Sequence, residues 1–270
     1  KNSMLTFIIV LYNQKISAEK FSMLNGRIVF CDNSTDAEIK RFNVSFAENL
    51  KNDNFFYLDM HGNKGLSKAY NSAVENLKLN ANDFVVIFDQ DTVIPQNLQF
   101  QYENFISENK DADIICPIVL DSVGVMSPSI ACGTKFRHIA SISEINEKNI
   151  FAYSFINSGM CIKRSVFAKI KYDENMFLDF VDHDFVISAK KNGFKIKICK
   201  EVVLNQNFSG VTKNTYKQDF SRFCIYMKDA KVFYKKWFDK SYKLVIFPRA
   251  IKLSLIHKNL SFLLTLLRNK

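Results

Sequence analysis

Two aspartates separated by a single residue follow a short apolar run in the sequence FDQD. The run, Phe84 to Phe88, has the length and β-branched content of a strand that is buried on both faces. In extended chain the side chains of Asp89 and Asp91 lie on the same side, where they repel each other unless a cation or hydrogen-bond donors lie between them. Carboxylate oxygens suit Mg²⁺ or Mn²⁺ that carries substrate phosphates. The pair therefore predicts a metal–phosphate site. A solvated Asp-rich turn is the alternative, because D-x-D is common in loops.

A second acidic cluster, FLDFVDHDF, stands at the predicted start of a helix. It contains Asp179, Asp182, His183 and Asp184. A carboxylate in such a place can serve as a general base. The alternative is that the acids cap the helix and complement its dipole. For His183 we expect a supporting or surface position in preference to a metal ligand.

These residues require a framework of strands and helices. Apolar runs at residues 5–11, 27–31, 55–58, 84–88 and 113–120 predict strands, and helical spacing between several of them indicates βαβ units. Helices are predicted from 16 to 24, from 66 to 79 and from 95 to 108. The sequence therefore predicts an α/β fold with a mostly parallel central sheet flanked by helices.

Three of the predicted strands end in polar clusters, YNQ, DNS and DQD. Right-handed crossovers bring the carboxyl ends of parallel strands to one edge of the sheet, where α/β proteins bind ligands. A glycine-bearing turn, GNKGLS at 62–67, opens a helix whose first N–H groups could meet a phosphate, with Lys64 or Lys68 adding charge. Asp32 could accept a hydrogen bond from a base or a ribose. The sequence has neither G-x-G-x-x-G nor a P-loop, which argues against dinucleotide-binding and P-loop ATPase proteins.

The residues from Leu5 to Gly210 resemble the inverting glycosyltransferases of family 2, which have the Rossmann-like GT-A fold. Six motifs carry the resemblance in the family's order: IIVLYN, CDNST, NKGLSKAYNSAV, IFDQDT, INSGMCIKRSVF and FLDFVDHDF. FDQD together with FLDFVDHDF looks most like the bacterial rhamnosyltransferases of O-antigen and capsule biosynthesis. The resemblance implies a GT-A domain over residues 1–215 and leaves residues 216–270 as a basic, amphipathic helical extension.

The resemblance also implies roles for individual residues. Asp182 matches the catalytic base, with Val181 in place of the glutamate that usually precedes it. Asp91, assisted by Asp89, matches the ligand of a divalent metal, Mn²⁺ or Mg²⁺. Where many members have a histidine near the metal, this chain has Asn207. The nucleotide-sugar site is implied for a larger set of polar and glycine residues: Tyr12, Asn13, Asp32, Asn63, Gly65, Lys68, Asp89, Asn157, Ser158, Gly159 and Asp184.

The implied reaction is the transfer of a hexose from a nucleotide-sugar donor, dTDP-rhamnose or a UDP-hexose such as UDP-galactose, UDP-glucose or UDP-GlcNAc. The implied acceptor is a lipid-linked oligosaccharide. Two other functions stay open from the residues. A nucleotidyltransferase can share the sheet topology, but the Gly-rich loop expected after its first strand is missing from YNQKIS. The other is a non-catalytic protein that binds nucleotides or a membrane surface. The presence of Asp89, Asp91 and Asp182 argues against it.

Composition and charge restrict the class of protein and its partners. The chain has 270 residues, 47% of them hydrophobic, and a formal net charge of +10. Residues 228–270 contain 11 Lys and Arg against two Asp, a net charge of +9, so the basicity belongs to the C-terminal part. Apolar and basic residues alternate there at helical spacing, which favours a helix on an anionic membrane surface, with a helical subdomain packed on the core as the alternative. No nucleic-acid recognition motif accompanies the charge, so nucleic acid is not expected as a partner.

The six cysteines are scattered and form no C-x-x-C pair, which fits a reducing compartment. No apolar stretch reaches 18 residues and no signal peptide is recognisable. We therefore expect a cytoplasmic protein that lies peripherally at the inner face of a bacterial cell membrane.

Overall fold

The structure, a computed structural model, describes residues 4–21, 23–49, 54–206, 214–238 and 242–269. In this part of the chain a ten-stranded sheet forms the centre. Its strands, in chain order, are β1 Leu5–Leu11, β2 Arg27–Asp32, β3 Phe55–Asp59, β4 Phe84–Asp89, β5 Ile114–Leu120, β6 Val125–Cys132, β7 Lys135–Ile139, β8 Tyr153–Ser154, β9 Cys161–Lys163 and β10 Ile196–Asn205.

Eight α-helices accompany the sheet in the described residues. They are α1 Ala18–Phe21, α2 Ala37–Asn49, α3 Leu66–Asn76, α4 Leu98–Glu108, α5 Val181–Lys191, α6 Tyr216–Trp237, α7 Tyr242–Ile256 and α8 Ser261–Arg268. Short 3₁₀ segments cover 142–144, 147–152 and 164–168. None of the described helices is long and apolar enough to cross a bilayer.

The order of the strands decides where ligands can bind. The sheet runs β3-β2-β1-β4-β9-β5-β6-β7, with β10 beside β5 and β8 beside β6. β3, β2, β1 and β4 are parallel to one another, as are β5 and β10. β9 is antiparallel to β4 on one side and to β5 on the other. The predicted α/β fold and its parallel core are confirmed, within a sheet that is mixed as a whole. The carboxyl ends of β1, β2 and β4 meet at one edge.

The alternation of side chains along each strand builds two apolar layers. In β1, Phe7 and Ile9 pack into the layer on one side of the sheet, and Ile8 and Val10 pack into the layer on the other. All seven residues of β1 are buried. An unbroken apolar strand with helices on both faces is what a parallel sheet requires.

Three segments differ from the sequence-based expectations. The helix predicted for 16–24 is reduced to the single turn α1, because Ile16 and Leu24 reach the core from irregular chain on either side of it. The helix α2 was not expected; among its residues only Asn43 is fully buried, so the segment lacks the apolar face that reveals a helix in a sequence. The segment from 121 to 150 had no recognisable pattern, and it contains the antiparallel pair β6 and β7.

The C-terminal helices pack on the body of the protein. Apolar side chains of α6, α7 and α8, among them Phe233, Ile246 and Phe262, belong to the same apolar layer as Ile8 of β1. At the end of α6, the Trp237 indole N–H donates a 2.7 Å hydrogen bond to Asp184 of α5. In its described residues the segment 216–270 is thus mostly helical. α6 makes the hydrogen bonds to the α/β part, and α7 and α8 pack against α6 and against each other.

Candidate active site

One large cavity opens at the edge of the sheet where β1, β2 and β4 end. Its volume is about 1090 Å³. Seven of the residues proposed from sequence line it: Tyr12, Asn63, Gly65, Asp89, Asp91, Asn157 and Asp182. The fold therefore brings together the DQD turn, the glycine-bearing turn and the acidic cluster, which are far apart along the chain.

The DQD turn holds the carboxylates at the cavity wall. Asp89 is the last residue of β4 and is half-buried, whereas Asp91 is exposed. Burial raises the pKa of the Asp89 carboxyl to about 6, and the neighbouring charges of Asp91 and Asp182 contribute to the same shift. Hydrogen bonds from Ser158 and Gln206 oppose this shift; the Gln206 Nε2 lies 3.3 Å from Asp89. Repulsion among three carboxylates in one cavity is a condition that a bound cation would relieve.

Whether these residues fit a divalent metal can be tested on their donor atoms. No cluster of three His, Cys, Asp or Glu side chains is found in the described chain, so carboxylates and histidines alone do not complete a site. Asp89 and Asp91 offer oxygens, and the Oε1 of Gln206 is a buried carbonyl oxygen without a hydrogen-bond partner. Three oxygen donors with substrate phosphates and waters are a set that Mg²⁺ and Mn²⁺ accept. The residues fit such an ion. Asn207, the expected additional ligand, lies outside the described residues.

A lysine that the sequence reasoning did not single out supports the turn. The Lys20 ammonium of α1 donates a hydrogen bond to the Gln90 carbonyl oxygen between the two aspartates. Burial lowers the pKa of Lys20, and the charges of Asp91 and Asp89 raise it. The Gln90 side chain in turn accepts a 2.7 Å hydrogen bond from the Tyr12 backbone N–H. The end of β1 and the turn after β4 are thus fixed to each other.

The glycine-bearing turn lies against the loop that precedes α5. The Leu66 N–H donates a 2.7 Å hydrogen bond to the Phe177 carbonyl oxygen. Gly65 has a φ of 85°, and a Cβ on it would lie 2.7 Å from that same oxygen. Asn63 accepts a hydrogen bond from the Gly65 N–H at 3.1 Å. This close approach requires glycine at position 65.

Asp182 is held by its place at the start of α5. It lies in the first turn, is half-buried and accepts a 2.8 Å hydrogen bond from the backbone N–H of His183. The His183 ring stacks on Phe136 and shares a 2.7 Å hydrogen bond with Ser154. Burial lowers the pKa of His183, which keeps the ring neutral near pH 7. The His183 ring thus packs within the protein beside the backbone that carries Asp182.

The loop carrying Asp182 is fixed by α6. The buried Asp229 carboxylate accepts hydrogen bonds of 2.8–2.9 Å from the N–H groups of Phe177, Leu178 and Asp179. Arg222 makes a bidentate ion pair with Asp179. Three N–H bonds to one carboxylate and a bidentate pair together hold the loop rigidly. Neither α6 residue was recognisable from the motifs.

Four further predicted residues support the edge of the sheet without lining the cavity. Asp32 is fully buried and accepts 2.8 Å hydrogen bonds from the side chains of Asn43 and Tyr57. The Asn13 side chain accepts hydrogen bonds from the N–H groups of Thr35 and Asp36. Ser158 and Gly159 lie beside β4, where the Gly159 N–H bonds to the Ile87 carbonyl oxygen.

Lys68 is exposed on α3, and Asp184 is buried against Trp237 and Lys236 of α6. Neither lines the cavity. Among the residues that were not predicted, Asn33, Tyr70 and Gln206 do line it. Asn33 lies in the motif CDNST and Tyr70 in NKGLSKAYNSAV, so the sequence contained a signal for their position at the cavity. Gln206 follows β10, which was not among the predicted strands.

Comparisons with known proteins identify the fold. No protein-family model and no curated protein matches the sequence. Among solved structures, the chain is similar to residues 1–349 of TarS from S. aureus (16% identity, 84% of this chain and 64% of that chain, TM-score 0.53). GalNAc-T7 with UDP, GalNAc and Mn²⁺ matches at 13% identity over 96% of this chain and 55% of that chain, with a TM-score of 0.63. The mannosyltransferase PcManGT from Pyrobaculum calidifontis, in complex with GDP-Man and Mn²⁺, matches at 11% identity over 87% and 65%, with a TM-score of 0.58.

The chain spans between 55% and 65% of the length of these three proteins. At such identities the likeness concerns the fold. The chain is structurally similar to GT-A glycosyltransferases and has their α/β fold, with a mixed sheet around a parallel core.

Proposed function

We propose that the protein is an inverting, metal-dependent glycosyltransferase of family 2 that moves a hexose from a nucleoside diphosphate to an acceptor hydroxyl. The observation that carries the proposal is that one cavity contains both the DQD carboxylates and Asp182. A diphosphate-bound cation and a general base are the two groups that such a transfer needs.

The proposed donor site uses the edge of the sheet. Tyr12 and the buried Asp32 network shape the part for the base and ribose, and Asn63 and Gly65 border the diphosphate at the start of α3. Asp89 and Asp91, with the unpaired Gln206 oxygen, would hold the metal. When bound, the metal would neutralise charge on the leaving diphosphate.

The proposed chemistry at the acceptor side belongs to Asp182. Its carboxylate takes the proton of the acceptor hydroxyl as that oxygen attacks the anomeric carbon and the bond to the diphosphate oxygen breaks. A single displacement of this kind inverts the anomeric carbon. We favour rhamnose as the transferred sugar, with a UDP-hexose as the alternative donor, and a lipid-linked bacterial surface glycan as the acceptor.

We further propose that α7 and α8 place the enzyme on an anionic membrane surface at the inner face of the cell membrane. Eight of the seventeen exposed large apolar side chains in the described chain lie between Leu244 and Leu267. In α7 these side chains recur at 244, 247, 251 and 255, which is one face of a helix. Residues 242–270 carry six Lys and Arg and no Asp or Glu. An exposed apolar ridge with basic neighbours is typical of an interfacial helix.

The experiment that tests the reaction is a thermal-shift screen of dTDP-, UDP- and GDP-linked sugars, each with Mn²⁺, Mg²⁺ or EDTA. A ligand that binds only the native state raises the midpoint of unfolding by mass action. We expect stabilisation by at least one nucleotide sugar with metal and its loss with EDTA or in Asp91→Ala. Asp111→Ala, an exposed aspartate outside the cavity, is the matched control. No stabilisation by any donor in a folded sample would contradict the proposal and favour a non-catalytic protein.

A further inference from the structure

The active-site cavity extends well beyond the residues assigned to the donor and the metal. The N-terminal half of α6 also lines it, through Lys217, Gln218, Ser221, Arg222 and Ile225. Their spacing places all five on one stripe of the helix. A cavity of about 1090 Å³ exceeds the upper end of the usual range for a single small-molecule site, roughly 300–1,000 Å³. We therefore expect the cavity to bind a second ligand, beside the donor, at the part that α6 lines.

Some of the charged and polar side chains of this stripe have no hydrogen-bond or ion-pair partner among the residues that the structure describes. The positive charge of Arg222 is balanced by its bidentate pair with Asp179. The Oε1 of Gln218 accepts from Thr215 in the cap of α6, which leaves its amide N–H groups for a ligand. In the described part of the chain, the side chains of Lys217 and Ser221 have neither a hydrogen-bond nor an ion-pair partner, and both residues are exposed.

The free groups have a common chemistry. An ammonium, an amide N–H and a hydroxyl all donate hydrogen bonds, and none of the five residues of the stripe is a carboxylate. The same cavity is also lined by the carboxylates of Asp89, Asp91 and Asp182. The electrostatic contrast across one cavity selects a ligand that presents its hydroxyl to Asp182 and negative charge to α6.

The position of α6 is also fixed relative to the base. Asp229, two turns beyond Ser221 on the same helix, binds the three N–H groups of the loop that leads to Asp182. A ligand on the stripe is therefore held in a defined relation to the base, which is the requirement for positioning a nucleophile.

We infer that Lys217, Gln218 and Ser221 form the acceptor subsite and that it takes a saccharide carrying an anionic group, a phosphate or a carboxylate. The inference rests on the proposed function and adds the class of acceptor to it. Lys217 pairs with the anion, and the amide of Gln218 and hydroxyl of Ser221 bond to sugar oxygens.

The test is a calorimetric titration of the protein with three probes: N-acetylglucosamine 1-phosphate, glucuronic acid and neutral N-acetylglucosamine. The protein is first saturated with Mn²⁺ and with dTDP or UDP, whichever it binds more tightly. We expect at least one of the two anionic sugars to bind more tightly than the neutral one. Their ranking distinguishes phosphate from carboxylate. Lys217→Gln is expected to weaken binding of the anionic sugar by about 3- to 10-fold, the effect of one solvent-exposed hydrogen bond or ion pair, and to leave binding of the neutral sugar unchanged.

Lys228→Gln is the matched control, because Lys228 is an exposed lysine of the same helix that does not line the cavity. Ser221→Ala should weaken the binding of the anionic and the neutral sugars to a similar extent. Equal affinity of wild type for charged and neutral sugars, no sugar binding at all, or an unchanged Lys217→Gln variant would each overturn the inference. Binding of dTDP and of UDP is measured in the same samples. Its absence in the wild type would count against the proposed function itself, whereas its presence confines a negative result to the acceptor subsite.

Discussion

The N–H of Leu66 donates a 2.7 Å hydrogen bond to the carbonyl oxygen of Phe177. Leu66 begins the helix beside the proposed diphosphate site, and Phe177 begins the loop that leads to Asp182. One hydrogen bond thus joins the wall that faces the donor to the loop that carries the proposed base. Because Asp229 of α6 accepts hydrogen bonds from the same loop, the start of α3, the loop and α6 are connected to one another by hydrogen bonds.

Gly65→Ala is expected to disrupt this junction. The added Cβ would lie 2.7 Å from the Phe177 carbonyl oxygen at a φ of 85°, so the turn or the loop must move. We expect a loss of about 1–3 kcal/mol in the free energy of unfolding, together with weaker donor binding. Gly62→Ala is the control: its φ is also positive, at 104°, but nothing lies within 4 Å of the added Cβ. Chemical denaturation of both variants separates steric conflict from backbone strain, and equal losses would argue against the conflict with Phe177.

Asp182→Asn should abolish turnover and preserve the donor complex. Removing a general base costs about 10²- to 10⁴-fold in rate, and the amide keeps the size of the side chain. Turnover is measured with the donor found in the screen, and donor affinity by titration. Asp173→Asn is a suitable control, because Asp173 pairs with Lys236 and does not line the cavity. Loss of donor binding in Asp182→Asn would assign the residue to the donor site.

Metal-supported donor binding should strengthen as the pH rises through about 6, the pKa of Asp89. Below that value the carboxyl is protonated, and a cation must displace one proton, so affinity is expected to change by about tenfold per pH unit and to level off above pH 6. Asp89→Asn should flatten the profile. A profile that stays the same in this variant would assign the pH dependence to another group.

The stability of the metal-free protein should change in the opposite direction. The pKa of Asp89 is raised in the folded state to about 6, by burial first and by Asp91 and Asp182 next, so the folded chain binds more protons than the unfolded one between about pH 4 and 6. The contribution of Asp89 to the free energy of unfolding therefore decreases as the pH rises through this window. Comparing the wild type with Asp89→Asn by denaturation on either side of the window isolates this contribution. A difference between the two proteins that does not change with pH would contradict it.

Asp229→Asn should loosen the loop that carries Asp182. In the wild type, three N–H groups share the two oxygens of the Asp229 carboxylate. The amide of asparagine has only one oxygen, so at least one N–H group loses its acceptor. We expect a loss of about 1–3 kcal/mol in the free energy of unfolding. The rate constant of transfer should fall more than the affinity for nucleotide. Asp111→Asn, which removes an exposed ion pair that solvent screens, should cost clearly less stability than Asp229→Asn. A variant of Asp229 with wild-type kcat would show that the loop keeps its place without this carboxylate.

The double variant Leu255→Ser/Leu260→Ser should lose binding to vesicles that contain anionic lipid. Both leucines are well exposed, at 73% and 65%, so the substitutions are expected to leave the fold intact. Each leucine transferred into lipid contributes about 1.5–3 kcal/mol, which predicts a loss of about a hundredfold or more in partitioning for the pair. Phe100→Ser, at an exposed apolar residue of α4, is the control. Unchanged cosedimentation of the double variant would contradict membrane binding through these two leucines.

The sequence by itself determined the α/β fold and which strand ends meet at one edge. The bounds of β1, β2, β3, β4 and β5 agree with the predicted strands within about one residue, because a buried parallel strand must be continuously apolar and the polar residue that follows it marks its end. The same rule placed Asp89, Asp91 and Tyr12 at that edge. The motif FLDFVDHDF placed Asp182 at the start of a helix. These features depend on neighbours in the chain, so a local pattern reveals them.

The tertiary structure alone decided what surrounds those residues. Asp229, Arg222 and Lys217 lie on α6. The apolar and basic pattern of this helix indicates only that it is amphipathic. Which of its residues line the cavity depends on where the helix packs. Lys20 and Gln206 approach the DQD turn from 70 and 117 residues away along the chain. Such contacts arise from packing between segments that are distant in the chain. A single sequence does not indicate which distant residue a given polar side chain will contact.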